Sequence, residues 1–224
     1  HTSNYRLTGF TEDVSVRALD QLGPPVLVEL GSGLLDAGCP WLDGPPPSWL
    51  GDEPGVRQTI ADGADLVMFS CDKLLGGPQA GVIAGDAELV ATCARHPLNR
   101  AMRPGGLVLS ALSDVLLAYL RKDGQAIPFW RMASTPVDEL RRRAEALGVG
   151  KPVDCSSVTG GGTLPDRSFP SAGVAVDGDV TAELRAAEPA IIARVQDGRT
   201  VCDLRTVSPD HDAHLAAALT AASA

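Results

Sequence analysis

The stretch Phe69-Ser-Cys-Asp-Lys-Leu-Leu-Gly-Gly-Pro-Gln-Ala-Gly81 follows directly on Ala64-Asp-Leu-Val-Met68, and the two together decide how this chain is read. Residues 64–69, apolar apart from Asp65 and bounded by Asp62-Gly63, are the size of a buried strand rather than a helix. The strand ends at Ser70, and Gly76, Gly77 and Pro78 mark the loop that follows. A hydroxyl and a lysine, three residues apart, therefore stand where a strand runs out, and in open α/β sheets ligands gather at the carboxyl ends of strands. Pattern alone leaves two accounts of Lys73. It is either a solvated lysine in a glycine turn, or an amine made nucleophilic by apolar neighbours such as Phe69, Leu74 and Leu75. On the second account Ser70 hydrogen-bonds a phosphate while Gly76 and Gly77 let the backbone approach it.

Upstream, Val14 to Leu22 has helical spacing, Gly23-Pro24-Pro25 stops it, and Val26-Leu-Val-Glu-Leu30 reads as a compact strand. Residues 36–54 hold Pro45-Pro46-Pro47 and two tryptophans without periodicity, which predicts a surface loop. A helix is expected from Glu53-Pro54 through Ile60. Downstream, Ala80 to Ala84 reads as a strand, and Asp86 N-caps a helix reaching His96-Pro97. Helical patterns follow over Leu107 to Leu120 and Pro136 to Leu147. From Val153 the pattern changes to short strands (Gly173 to Val176, Ala190 to Val195, Thr200 to Leu204) with helices near Val180 to Ala187 and Pro209 to Ala222. The expected organisation is an α/β domain over residues 1–134 and a small α+β domain over residues 135–224.

Composition narrows the function classes. The net charge of −9 offers no electrostatic footprint for nucleic acid over the chain as a whole, and no DNA partner is expected. The longest apolar run, around Leu107 to Leu120, carries Asp114 and serines and is too short for a membrane span. No signal peptide is expected before the first structured segment. The five cysteines, Cys39, Cys71, Cys93, Cys155 and Cys202, are odd in number and lack CxxC spacing, which argues against a disulfide framework or a zinc site and fits a reducing cytoplasm. Of the 19 basic residues only Lys73, Lys122 and Lys151 are lysines. A chain that otherwise uses arginine keeps lysine where amine chemistry is needed, because a guanidinium does not give up its proton.

The run from Lys73 to Gly81 resembles the cofactor-lysine signature of bacterial selenocysteine synthase, L-seryl-tRNA(Sec) selenium transferase. Further segments resemble the same family in the same order: His1-Thr-Ser-Asn-Tyr5 with Gly9-Phe10-Thr11, Leu30-Gly-Ser-Gly33, Gly63-Ala-Asp-Leu66, and His96-Pro-Leu-Asn-Arg-Ala-Met-Arg103. Arg131-Met132 with Thr135-Pro136, Gly160-Gly-Gly-Thr-Leu-Pro165 and Asp203-Leu-Arg-Thr-Val207 follow. The resemblance covers nearly the whole chain and only the C-terminal half of the family, so its N-terminal region and the first part of its large domain are expected to be missing.

The resemblance implies the C-terminal part of a fold-type-I pyridoxal 5'-phosphate transferase. Lys73 would form the Schiff base with the cofactor and exchange it for the amine of serine esterified to tRNA(Sec). Loss of the α-proton and hydroxyl would leave an aminoacrylate, to which selenium from selenophosphate adds. Glu29 stands where the family usually has an Asp that pairs with the pyridinium nitrogen; otherwise it is a strand-end carboxylate without a catalytic role. The match places Arg100 and Arg103 in the selenium-donor pocket, and if that stretch is helical they share a face as an anion clamp. Cys71 replaces a glycine common in the family and reads as a small buried residue. Ser3 and Asn4 match a segment near the family's active site. His211 with His214, and Arg141-Arg-Arg143, read as exposed polar surface. The complete enzyme is expected to be a homo-oligomer. Two other readings stay open: a related lyase acting on a small amino acid, and a fragment unable to turn over alone.

Overall fold

The apolar runs on either side of the Gly23-Pro24-Pro25 stop sort themselves into helix and strand as their periods require. A computed structural model describes residues 9–165 and 167–223; Ser3 and Asn4 lie outside the described residues. Helix α1 (Val16–Asp20) is capped by Ser15, whose hydroxyl accepts from Ala18 N–H. Strand β1 (Leu27–Glu29), helix α2 (Val56–Ala61) and strand β2 (Leu66–Ser70) follow. β1 and β2 pair in parallel, with Leu27 opposite Leu66 and Glu29 opposite Met68. A parallel pair needs a crossover connection, and the segment containing α2 supplies it. Strand β3 (Gly81–Gly85) returns antiparallel on the other side of β2, with Ser70 opposite Gly81. β2 is thus the middle of three strands, and Val67 within it is fully buried.

Helix α3 (Ala87–Arg95) starts as its sequence requires, the Asp86 carboxylate accepting from Glu88 and Leu89 N–H. Helix α4 (Pro97–Ala101) is one short turn with proline in its first position. Helix α5 (Gly106–Leu120) is apolar on nearly every face, yet only Ala118 of it is buried. Leu107 is 89 % and Leu120 80 % exposed.

Residues 36–54 depart from the expected surface loop. Cys39, Trp41 and Leu50 are buried in one cluster with Leu34, Leu74, Ala118, Ile127, Trp130 and Leu164. The loop lacks a period because it forms no long regular element, but its aromatic rings carry too much apolar area to be left in water. Asp36 fixes its start by accepting from Gly38 N–H, Gln58 Nε2 and Arg57 Nη1, each at 2.8 Å.

The chain forms two compact units: His1–Arg131 with Thr159–Arg167, and Met132–Val158 with Ser168–Ala224. Helix α6 (Pro128–Ser134) spans the first junction. The second unit comprises helix α7 (Val137–Ala146), strands β4 (Lys151–Val158) and β5 (Ser168–Asp177), helix α8 (Thr181–Arg185), strands β6 (Arg194–Gln196) and β7 (Arg199–Asp203), and helix α9 (Asp212–Ala222). Its sheet is antiparallel in the order β4-β5-β7-β6. Ala172, Val174 and Val176 alternate along β5 and pack with Leu140, Ala144, Leu184, Leu215 and Leu219 from the helices. Strand β4 carries Pro152 and a polar stretch, which hid it from the pattern; as an edge strand it accommodates the proline.

Two arginines anchor this unit. Arg143, expected on a solvated face, is part-buried: its guanidinium binds both Asp212 oxygens, at 2.6 and 3.1 Å, and donates to the Leu204 and Val207 carbonyls. Its neighbours behave as expected, Arg141 pairing on the surface with Asp138 and Asp154. Arg205, 5 % exposed, donates to the carbonyls of Met132, Ala133, Thr135 and Pro170. His211 is exposed, and His214 Nε2 lies 2.8 Å from the Pro189 carbonyl.

Candidate active site

Parallel pairing places the last residues of β1 and β2 at the same end of the sheet. Glu29 closes β1 with its side chain exposed, Ser70 closes β2, and Lys73 stands three residues further on, half-buried. The structure thereby brings Lys73, Ser70 and Glu29 to one sheet edge, the carboxyl end at which ligands bind in such folds.

The turn carrying Lys73 is tied down on several sides. Leu74 N–H donates to the Ser32 carbonyl at 2.9 Å, Gly76 N–H to the Lys73 carbonyl at 2.9 Å, and Gly77 N–H to the Cys71 carbonyl at 2.8 Å. Leu74 and Leu75 are fully buried, so the residues that follow Lys73 plug into the core while Lys73 itself is half-buried. Gly76 has φ +72°, and a side chain there would meet Ile127 at 2.7 Å. Cys71 is fully buried, and burial with the neighbouring Asp72 charge pushes its thiol up, so it stays un-ionised at neutral pH.

Two groups that the pattern did not single out converge on the same turn. Glu53, read only as the opening of a helix, is 9 % exposed and faces the Ser32 hydroxyl. Burial pushes its carboxyl up, Ser32 and the Arg167 and Lys73 charges act in the opposite sense, and Asp52 adds to the rise. Arg167, which pairs with Asp52, brings the Gly160–Pro165 segment into this unit. Tyr119 donates to the Leu75 and Leu74 carbonyls at 3.0 and 3.3 Å. A lone tyrosine in the apolar α5 was the available signal, since a buried phenol needs a partner.

Arg100 lies in α4, but Arg103 does not: the helix ends at Ala101, with Met102 as its C-cap. The expected shared helix face is therefore absent. Pro104 accounts for it, because the residue before a proline is pushed out of the helical region. Both arginines are exposed, and no hydrogen bond or ion pair among the described residues links either to the Lys73 turn.

The chemistry of this donor set fits a phosphorylated pyridine aldehyde: an amine, a hydroxyl and a carboxylate at one sheet end, beside a turn kept small by Gly33. A family model described as SelA, L-seryl-tRNA selenium transferase, matches residues 1–208. The chain belongs to this family.

Among similar L-seryl-tRNA(Sec) selenium transferases, that of Moorella thermoacetica is 40 % identical over 245 residues, covering 98 % of this chain and 50 % of that protein. That of Solidesulfovibrio magneticus is 37 % identical, covering 94 % of this chain and 48 % of that protein. This member of the family thus spans about half the length of the curated relatives it matches. In fold it is similar to D-glucosaminate-6-phosphate ammonia-lyase, with a TM-score of 0.57, 24 % identity, and coverage of 94 % of this chain and 53 % of that one. The chain is mixed α/β, and among its described residues no helix is long and apolar enough to cross a membrane.

Proposed function

We propose that this chain is the part of a pyridoxal 5'-phosphate-dependent L-seryl-tRNA(Sec) selenium transferase that carries the cofactor lysine. The observation that supports this most is the unbroken Lys73–Gly81 motif, seated at the carboxyl end of a parallel strand pair in a chain of this family. The first unit would be the C-terminal part of a fold-type-I large domain, and the second the small α+β C-terminal domain.

When bound, the cofactor supplies an electron sink; the protein supplies position and charge. Lys73 Nζ is the amine that would hold its aldehyde carbon. Glu29 would place negative charge at the ring nitrogen and keep it protonated, its exposure at the strand end leaving room for the methylene it has beyond aspartate. Ser70 would donate to the phosphate. Arg100 and Arg103, both exposed cations, would bind the anionic selenium donor, selenophosphate, by charge-assisted hydrogen bonds.

The substrate would be serine esterified to tRNA(Sec), converted to selenocysteinyl-tRNA(Sec) in the cytoplasm by a homo-oligomer. The exposed apolar surface of α5 fits a complete protein in which more chain, or another copy, covers it.

The test uses the full-length protein. Borohydride reduction after cofactor loading, followed by peptide mapping, should place one reduced pyridoxyl group on Lys73. Seryl-tRNA(Sec) with selenophosphate should then yield selenocysteinyl-tRNA(Sec). A label on another lysine, or deamination of free amino acids without selenium transfer, rejects this reading.

A further inference from the structure

The buried face of the Lys73 turn ends on a hydroxyl. Tyr119 reaches out of α5 and spends its proton on the carbonyls of Leu75, at 3.0 Å, and Leu74, at 3.3 Å, the two residues that follow Lys73. Its oxygen in turn accepts from Trp130 Nε1 at 2.6 Å. Trp130 is fully buried, and Trp41 closes the edge of the phenol ring at 4.6 Å between centroids, nearly perpendicular. The hydroxyl is therefore held from behind by one indole and from the side by another, and its direction is set before any ligand arrives. A core tyrosine that merely satisfied itself would have no need to bind two successive carbonyls of a distant turn, 44 and 45 residues away in sequence.

We propose that Tyr119 is a positioning residue for Lys73: its hydroxyl, oriented by Trp130, fixes the two carbonyls after Lys73 and thereby sets where Nζ is presented at the sheet end. The proposal rests on the reading of Lys73 as the cofactor amine. On the other side of the turn, the Ser32 carbonyl holds Leu74 N–H and Gly76 N–H holds the Lys73 carbonyl, so the Tyr119 bonds complete a grip on consecutive peptide units. Burial pushes the Tyr119 phenol well above its ordinary range, so it remains a donor throughout the working pH range.

The test is cofactor capture at Lys73 in the full-length protein, read as borohydride-trapped pyridoxyl-Lys73 against pyridoxal phosphate concentration, with the melting temperature of the cofactor-free protein measured in parallel. Tyr119→Phe keeps the ring and removes the bonds. It should raise the half-saturating concentration roughly three- to tenfold, the scale of one or two net hydrogen bonds. Trp130→Phe removes the indole donor to Tyr119 and keeps an aromatic ring in the cluster that holds Leu74; it should raise the half-saturating concentration by less, about two- to threefold. A merely structural role would lower the melting temperature and leave the half-saturation within twofold of wild type, and that result overturns the proposal. If Tyr119→Phe does not fold, Trp130→Phe decides by the same twofold criterion. Wild-type protein trapped at a lysine other than Lys73 overturns the underlying reading and the proposal together; wild-type trapping at Lys73 with unchanged variants overturns the proposal alone.

Discussion

A methyl group placed on Gly33 would come within 2.2 Å of the Ser70 carbonyl oxygen. The turn after β1 and the end of β2 therefore interlock through the absence of a side chain, and Gly33 also sits at φ +74°, where L side chains are strained. Gly33→Ala should destabilise the protein by about 2–4 kcal/mol, combining strain with a backbone clash. Urea unfolding would measure it, and a change below about 0.5 kcal/mol would show that the two turns adjust independently.

Asp36 ties residues 36–38 to α2. Although burial opposes it, hydrogen bonds from Gln58 and Gly38, and the charge and hydrogen bond of Arg57, hold its carboxyl below the usual 3.8. A lowered folded-state pKa contributes stability that is present above the unfolded value and is lost as pH falls through the folded one. Asp36→Asn should cost about 1–2 kcal/mol at pH 7. The difference from wild type should shrink below about pH 4 in pH-dependent thermal melts.

Glu53 has the opposite sign. Its folded carboxyl lies above the ordinary 4.5, chiefly through burial. The proton it retains favours the folded state at low pH, and that advantage is lost as pH rises through the folded value. Glu53→Gln should therefore flatten the decline in melting temperature above about pH 4.5 and leave the variant no less stable than wild type at neutral pH. Parallel slopes for the two proteins between pH 4 and 8 would contradict it.

In the second unit, Arg143 and its neighbour Arg142 make a matched comparison. Arg143→Met strips Asp212 of its partner and takes the guanidinium donor from the Val207 carbonyl and from the Leu204 carbonyl, which keeps Val207 N–H; it should cost about 2–3 kcal/mol. Arg142 is exposed, and Arg142→Ala should stay within about 0.5 kcal/mol of wild type. Denaturant midpoints of the two variants decide the matter.

What the sequence made legible was local. The stop at Gly23-Pro24-Pro25, the Asp86 cap and the end of β2 at Ser70 each follow from a few adjacent residues, and the Lys73 turn is legible for the same reason. Pro104 also stood in the sequence, and its restriction on Arg103 was enough to break the expected helix face. What stayed hidden depends on residues far apart. Trp41 looks like a loop residue until Tyr119 and Trp130 are placed beside it. Glu53 looks like a helix opener until Ser32 is folded against it. Neither partnership leaves a period or a spacing to be read.

The excursion of Thr159–Arg167 has a consequence for anyone dividing this protein. The chain passes from one unit to the other after Arg131, after Val158 and after Arg167, so no single cut releases both units whole. Severing it at the first junction leaves Leu164, which the first unit's core needs beside Trp41 and Trp130, on the wrong piece. A recombination that exchanged everything after Arg131 would replace not only the second unit but also Leu164, a piece of the cluster that holds Leu74 behind Lys73.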